Sequence, residues 1–589
     1  MKKIAIIDSG VKCDHPDFSN VQVKGFSITV NDSEKISIDE DFHDEIGHGT
    51  AVFYLINKST HDCDITNIKI YDRSSKISTD NFEHILEYIL KSYCFDIINI
   101  SMGIVVYGNT ERLQNICNSF KAQGTIIVSA FDNNGAVSFP AALDGVVGVD
   151  GQANLSTAYI SVQNSIVNVI GNLKNQKVAW IEPDYILVKG SSFICAEITA
   201  KLAISGGDKA EKMLNSLCGK KIVFNNSIDS KLPFKIFKAV VFPFNKEIHA
   251  IARFESYLKY SIVDYYSVRV SGKVGKSISE IIPNCDNQKT IKNIDEINWD
   301  TFDTLIIGHS DEYRRIINVD YKEKLIKEAI HRGKNIYTFD YNGISDIQKD
   351  YKLLFSPVVT EANISKRYGK LYKPNIPIIA ICGTNSKQGK FSLQLYIRNK
   401  LLDLGYSVGQ IGTEASSLLF DMDEVFPCGY NGQVYLTPQQ TSSIINKMIW
   451  DISQKGVDII LAGCQSGLLG FNDRNIDMIP FNHQIFFQSL QTDAIILCVN
   501  EYDSLSFVKR VINYAEGVSG AKVLGVVCFP YSPKKNWMGA YGTQERISVT
   551  REKELKEAYL GNLGKRVFML DKNIELAQLV DECLEFFQG

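Results

Sequence analysis

Three short segments, far apart in the chain and each built around a reactive side chain, constrain this sequence more than anything else in it. Ile-Ala-Ile-Ile-Asp-Ser-Gly, from Ile4 to Gly10, runs a short apolar strand into Asp8. Gly-His-Gly-Thr-Ala-Val, from Gly47 to Val52, sets His48 between two glycines at the start of a helix. Gly-Ser-Ser-Phe-Ile-Cys-Ala, from Gly190 to Ala196, sets Ser192 ahead of another helix, expected over 197–204. Taken singly, each has an ordinary reading: an acid ending a strand, a histidine at a helix start, a serine capping a helix. Taken together they are the residue types of one chemistry. A carboxylate fixes the tautomer of an imidazole and stabilises its protonated form, and the imidazole takes the proton of a serine hydroxyl that then attacks a carbonyl.

The chain order Asp8, His48, Ser192, with Asp-Ser-Gly-Val and His15-Pro-Asp-Phe18 continuing the first segment, resembles the subtilisin-like serine peptidases (subtilases). The resemblance covers residues 1–220. It implies a parallel sheet with covering helices, Ser192 as nucleophile, His48 as general base, Asp8 as its orienting acid, and no cofactor. The strand from Asp96 ends in Ser-Met-Gly103, which resembles the substrate-binding edge of these enzymes, and Thr125 to Ala130 reads as a further buried strand. With a helical apolar spacing at Leu113, Ile116, Cys117 and Phe120 between them, the order is strand, helix, strand.

The sequence departs from the family at the oxyanion site. Where subtilases carry Ala-Ala-Gly-Asn, this chain has Ser129-Ala-Phe-Asp132-Asn133-Asn-Gly135. A gapless match places Asp132 at the donor position, and an ionised aspartate can only accept hydrogen bonds. A shift of one residue presents Asn133 instead, and a protonated Asp132 is the other solution. The backbone N–H of Ser192 is the second expected donor. Ala196 stands where proline is common, and the stretch from Asp132 to Gly190 is short for the family.

Composition narrows the setting. With 63 basic and 67 acidic residues and a net charge of −4, nothing calls for a nucleic-acid or anionic-membrane partner. The 13 cysteines are scattered singly, so neither a metal site nor a disulfide framework is expected. No apolar run approaches the ~20 residues of a membrane span, and four apolar residues near the start are too few for a signal peptide. A cytoplasmic protein without a propeptide is the expectation.

At 589 residues the chain is too long for one core. Beyond the first domain, 232–365 reads as a Rossmann-like α/β domain: strands at 235–242, within 257–270, at 304–307 and 334–340, a helix at 321–332, and no Gly-x-Gly-x-x-Gly fingerprint. His309 follows one of these strands and reads first as a surface residue, with part of a site as the other reading. A helix is expected at 208–217 to close the first domain.

In 372–589 the strand Pro377 to Cys382 runs into Gly383-Thr384-Asn385-Ser-Lys-Gln-Gly389-Lys390-Phe-Ser392, followed by a helix expected over 393–404. Strand, glycine-rich loop and helix is the recipe for a phosphate cradle, in which backbone N–H groups and Lys390 meet the anion. The spacing is not the standard one: five residues separate the glycines and the hydroxyl of Ser392 comes one position late. These residues, with Ile459 to Gly467, resemble a family long catalogued as a domain of unknown function, a Rossmann-like half joined to a P-loop half, some members of which are D-glutamate N-acetyltransferases. The resemblance implies ATP or acetyl-CoA at Gly383, Thr384, Asn385, Gly389, Lys390 and Ser392. Asn385 replaces the family's loop aspartate, and Ala462 or Gly463 replaces an acid at the later strand. Carboxylates are visible only at Asp421, Asp423 and Glu424, in an expected loop.

The whole is therefore expected to be α/β: a subtilisin-like parallel-sheet domain, a Rossmann-like domain and a P-loop α/β domain. The fusion resembles peptide-maturation proteins, which implies a narrow-specificity serine endopeptidase acting on a ribosomally made precursor peptide, with a C-terminal unit that binds or acylates the product. The competing reading is a nucleotide- or CoA-dependent transferase carrying an inactive subtilase as a peptide-binding scaffold. Neither the cleavage site nor the oligomeric state is written in the sequence.

Overall fold

The computed structural model describes residues 1–589 except 32–33, 61, 74–76, 206–213, 217, 226–230, 283–284, 342, 368, 430–431, 433, 435, 471–478, 534–543 and 589. The chain divides into two compact units, Met1–Ser227 with Ser365–Asn375, and Ile228–Ile364 with Ile376–Gly589.

Unit 1 is built on a ten-stranded sheet in the order Lys220–Val223, Tyr159–Gln163, Val169–Asn172, Val147–Gln152, Ile126–Ala130, Ile97–Ile100, Lys2–Asp8, Cys63–Lys69, Lys24–Val30, Ile36–Asp39. Pairing is parallel except between Tyr159–Gln163 and Val169–Asn172 and at the Ile36–Asp39 edge. Strands buried on both faces read as continuous apolar runs, as Ile4–Ile7 does, and Ile97–Ile100 departs from this only at the buried Asn99. On one face the helices His48–Ser59 and Ser191–Ile204 lie against each other, and Val52, Ile56, Ile194, Ile198 and Leu202 close one core with Ile4, Ile6, Val128 and Val149. The second of these helices is buried almost all round, which explains its lack of an amphipathic pattern. It begins at Ser191, six residues before the expected start, because Ser-Ser-Phe carries no helical periodicity. Within the expected 208–217 helix, 208–213 and 217 lie outside the described residues.

Unit 2 holds two wholly parallel sheets. One runs Lys292–Asn293, Ser261–Ser267, Lys238–Phe242, Thr304–Ile307, Asn335–Thr338, Leu354–Phe355, and the other Glu424–Val425, Val408–Gly412, Ile459–Gly463, Ile378–Gly383, Ala494–Asn500, Lys522–Phe529, Val567–Met569. The two expected domains each carry one of these sheets, and the sheets share a core in which Phe244, Tyr265, Ile306 and Tyr337 beside the first meet Leu395, Leu419, Phe420 and Met422 beside the second, and Tyr337 Oη donates to the Ala415 carbonyl at 2.6 Å. Between the expected bounds of 232–365 and 372–589, Ser365–Asn375 packs with unit 1. Among the described residues no helix is long and apolar enough to cross a membrane, and no cluster of three potential metal ligands occurs.

Candidate active site

Asp8 ends the strand Lys2–Asp8 and is 1% exposed. Its carboxylate faces His48, whose Nδ1 lies 2.8 Å from Oδ1 and 3.0 Å from Oδ2. It also accepts the N–H of Ser9 at 2.8 Å and the hydroxyl of Tyr71 at 2.9 Å. Burial pushes the Asp8 carboxyl up, but the charge and hydrogen bond of His48, with Ser9 and Tyr71 behind them, hold it below the usual range. For His48 burial pulls the pKa down, and Asp8 first and Asp44 second more than reverse it, leaving it raised.

The helix that carries His48 starts on a polar clamp. Asp44, fully buried, accepts the N–H groups of Ile46, Gly47 and Thr50 and the hydroxyls of Ser9 and Thr50, all between 2.7 and 2.9 Å. The Gly47 and Thr50 N–H groups are among the otherwise unsatisfied donors at the start of this helix. Ser9 Oγ in turn accepts the Gly49 N–H at 3.0 Å, so the residue after Asp8 is tied to the residue after His48. The two glycines beside His48 are needed. Gly47 sits at φ 99°, where a Cβ would come within 2.4 Å of the Trp180 ring, and a Cβ on Gly49 would come within 2.2 Å of the Gly10 carbonyl.

Ser192 lies in the first turn of the helix Ser191–Ile204, next to Phe193, whose ring packs on His48 at 5.6 Å between centroids. Its Oγ donates to the Ser101 carbonyl at 2.7 Å. Among the described residues no hydrogen bond joins Ser192 and His48. Ser101 is itself fixed from below: its Oγ donates to Asn99 Oδ1 at 2.6 Å, and Asn99 Nδ2 donates to Thr199 Oγ1 at 2.8 Å. That buried network ties the strand Ile97–Ile100 to the helix of Ser192.

Asp132 and Asn133 have different places. The Asp132 carboxylate turns into its own turn and accepts the Asn134 N–H at 2.8 Å. Asn133 reaches the start of the Ser192 helix, where its Oδ1 accepts the Ser191 N–H at 2.9 Å. Its Nδ2 has no acceptor among the described residues. The side chain bonded to the Gly190–Ser192 segment is thus that of Asn133, one residue later than the gapless match with Asp132.

Ser191 is held from both sides, since its Oγ donates to Asp150 Oδ1 at 3.2 Å. Asp150 pairs with Lys370, its Oδ2 lying 3.0 Å from Nζ. Neither Asp150 nor Lys370 is singled out by any sequence pattern, and Asp44 and Tyr71 are equally silent, whereas Ser101 opens the Ser-Met-Gly segment noted in the sequence.

In unit 2, Gly383 ends the strand Ile378–Gly383 and the helix Lys390–Asp403 follows, starting three residues earlier than expected. Gly389 precedes it at φ 74°. Lys390 is 8% exposed and donates to the Asn385 carbonyl at 2.6 Å; burial lowers its pKa. Among the described residues the N–H groups of Gln388, Gly389, Lys390, Phe391 and Ser392 have no acceptor, whereas Asn385 N–H donates to Gln388 Oε1. Free donors around a buried ammonium fit the phosphates of ATP or acetyl-CoA. The loop also has carboxylate neighbours that the sequence hid. Asp503 accepts the Thr384 hydroxyl and, at 3.3 Å, Gln388 Nε2, and Glu414, its carboxyl raised by burial, accepts Gln465 Nε2. Asp421 and Asp423 instead face Lys259 and Lys455. The His309 side chain is only 9% exposed and its Nδ1 lies 2.5 Å from Asp340 Oδ1, so the surface reading does not hold.

Residues 2–214 match the model of the subtilase family, Peptidase_S8. A thermophilic serine proteinase of Bacillus sp. (strain AK1) is 26% identical over 160 residues, which are 25% of this chain and 37% of that relative. The chain thus spans little more than a third of the curated relative it matches. Among solved structures, a cold-adapted subtilisin-like serine proteinase is 19% identical and aligns over 36% of this chain and 79% of its own, with a TM-score of 0.30. A DUF1611 family protein from Anabaena variabilis is 15% identical and aligns over 59% of this chain and all of its own, with a TM-score of 0.43.

Proposed function

We propose that unit 1 is a serine endopeptidase. The observation that carries the reading is the paired contact of His48 Nδ1 with both oxygens of buried Asp8, beside a serine in the first turn of a buried helix. In the proposed reaction Ser192 Oγ attacks a peptide carbonyl and passes its proton to His48, while Asp8 holds the imidazole and stabilises its cation. Asn133 Nδ2 and the Ser192 N–H receive the negative charge that develops on the carbonyl oxygen. The leaving amine takes the proton from His48, and water repeats the sequence to free Ser192.

The bond from Ser192 to Ser101 favours a second reading, an inactive fold that only binds peptide. Against it, a single neutral hydrogen bond is worth about 1 kcal/mol net, and one change of staggered χ1 well gives it up. Labelling with a fluorophosphonate decides between them. Covalent modification of the wild-type chain that disappears in Ser192→Ala supports the peptidase, and a folded wild-type chain that stays unlabelled supports the scaffold.

The proposed substrate is a ribosomally made precursor peptide, the class to which the fused arrangement points. For unit 2 we propose a phosphate-bearing ligand, ATP or acetyl-CoA, on the loop from Gly383 to Ser392, with Lys390 and the free N–H groups as its contacts. Acylation of the amine that cleavage exposes is the step such a ligand would serve. Calorimetric titration of ATP and of acetyl-CoA into wild type and Lys390→Ala tests the site: heat in the first and none in the second supports it, and no heat with either ligand removes it.

A further inference from the structure

A strap from beyond the first half of the chain reaches the proposed reaction centre of unit 1. Ser365–Asn375 follows the wholly parallel six-stranded sheet of unit 2 in sequence, yet it packs with unit 1. It pairs in parallel with two segments there, Leu371 with Ala136 and Lys373 with Val106. The Leu371 carbonyl accepts the Val137 N–H at 3.0 Å. Lys370, 4% exposed, places its ammonium 5.1 Å from the centre of the Phe131 ring and 3.0 Å from Asp150 Oδ2.

These contacts bracket the loop that carries Asn133. Phe131 is the residue where the loop begins and Val137 the residue where it ends, and the strap touches both. The third contact enters the nucleophile segment directly, because Asp150 accepts the Ser191 hydroxyl and Ser191 N–H donates to Asn133 Oδ1. A carboxylate as enclosed as Asp150, whose side chain is 16% exposed, holds a fixed position only with a partner charge beside it. Lys370 is that partner.

We propose that Lys370 is a positioning residue of the peptidase centre: from the strap it holds Asp150, Asp150 holds Ser191, and Ser191 aims the Asn133 amide and seats Ser192. Unit 1 is then complete only when the strap is in place. The inference rests on the peptidase reading, and its anchor, Lys370, lies outside the subtilase match over 2–214.

The test uses the full chain as wild type, Lys370→Met, Lys370→Arg, Ser191→Ala and the Lys370→Met/Ser191→Ala double variant. The rate of fluorophosphonate labelling at Ser192 is read across pH. Lys370→Met keeps the stem and loses the charge, so labelling should slow at least tenfold. The pH of the acidic inflection, which belongs to His48 and Asp8, should stay where it is. Lys370→Arg should recover most of the rate, and the double variant should lose less than the product of the two single losses. Labelling of Lys370→Met at the wild-type rate overturns the inference, as do fully multiplicative losses. Amide hydrogen exchange over residues 188–197 gives a readout independent of activity: faster exchange in Lys370→Met is expected, and unchanged exchange overturns the inference. A wild-type chain that is never labelled, but whose exchange responds to Lys370→Met, sinks the peptidase reading alone.

Discussion

Asn133 meets Ser191 through its amide oxygen, 2.9 Å from the backbone nitrogen, so the amide nitrogen at the other end of the same planar group is left to donate. In the proposed reaction this bond leaves the amide nitrogen to face the substrate oxygen. Asn133→Ala should cut turnover and labelling by about 100- to 1,000-fold, the usual loss for one oxyanion donor. Asp132→Asn keeps the cap on the Asn134 N–H and should change the rate by no more than about threefold. Equal losses in the two variants would contradict the assignment.

The pH dependence follows from His48. In the proposed reaction only its neutral form takes the proton of Ser192, and its pKa is raised because Asp8 more than offsets burial. Labelling should therefore climb with pH through an inflection above the ordinary ~6.5 of an imidazole. Tyr71→Phe removes a donor that spreads the charge of Asp8, so Asp8 becomes more basic and holds the His48 proton more tightly. The inflection should move further up, by roughly half a unit for a lost bond to a charged acceptor that retains its other partners. A downward move would show that Tyr71 acts in some other way.

Gly49→Ala sets a methyl group against the Gly10 carbonyl, 2.2 Å away, in a place where both partners are backbone. Relief requires the helix start to shift, and with it the His48 ring relative to Asp8. A fall in melting temperature together with loss of labelling is expected, whereas Gly108→Ala, which meets nothing within 4 Å, should alter neither. Unchanged labelling in Gly49→Ala would show that the contact has room to relax.

How much of this was legible depends on how local each signal is. Asp8, His48 and Ser192 stand in short segments whose neighbours are dictated by close approach, such as the glycines around His48, and so they stand out in the sequence as candidates. The register after Ala130 could not, because Asp132, Asn133 and Asn134 all suit a turn and only the position of Ser191 selects among them. Lys370 could not be found at all: its partners lie more than 200 residues away, and the strap has neither helical nor strand periodicity. The shared core of the two sheets in unit 2 was hidden for a related reason, since residues such as Leu419 and Tyr337 look apolar or aromatic in any context and their pairing is a tertiary fact.

Unit 2 carries its own pH response. Glu552, in the first turn of the helix Val549–Leu563, lies 2.8 Å from Lys556 and 3.2 Å from Arg546, with Lys572 also bonded to it. Burial raises its pKa, but these three cations more than reverse that and bring it down from 4.5 to about 2. A lowered carboxylate stabilises the fold above its unfolded pKa, and the benefit is lost as pH falls from about 4.5 towards 2. Glu552→Gln should cost about 2–3 kcal/mol at neutral pH and flatten the stability profile in that window. Chemical denaturation of the two forms between pH 2 and pH 7 checks both, and parallel profiles would remove the role assigned to the cluster.

The strap gives the chain an order of assembly in time. A ribosome releases residues in sequence, at roughly 5–20 per second, so residues 1–227 emerge well before Lys370 does. During the interval, on the order of ten seconds or more at that pace, Asp150 has no ammonium beside it and the segment around Ser191 lacks its outer anchor. Only when the strands of the following sheet have been made can the strap close on the first unit. On the proposed reading, such a peptidase stays quiet while it is being synthesised, and its maturation is timed by the translation of its neighbour.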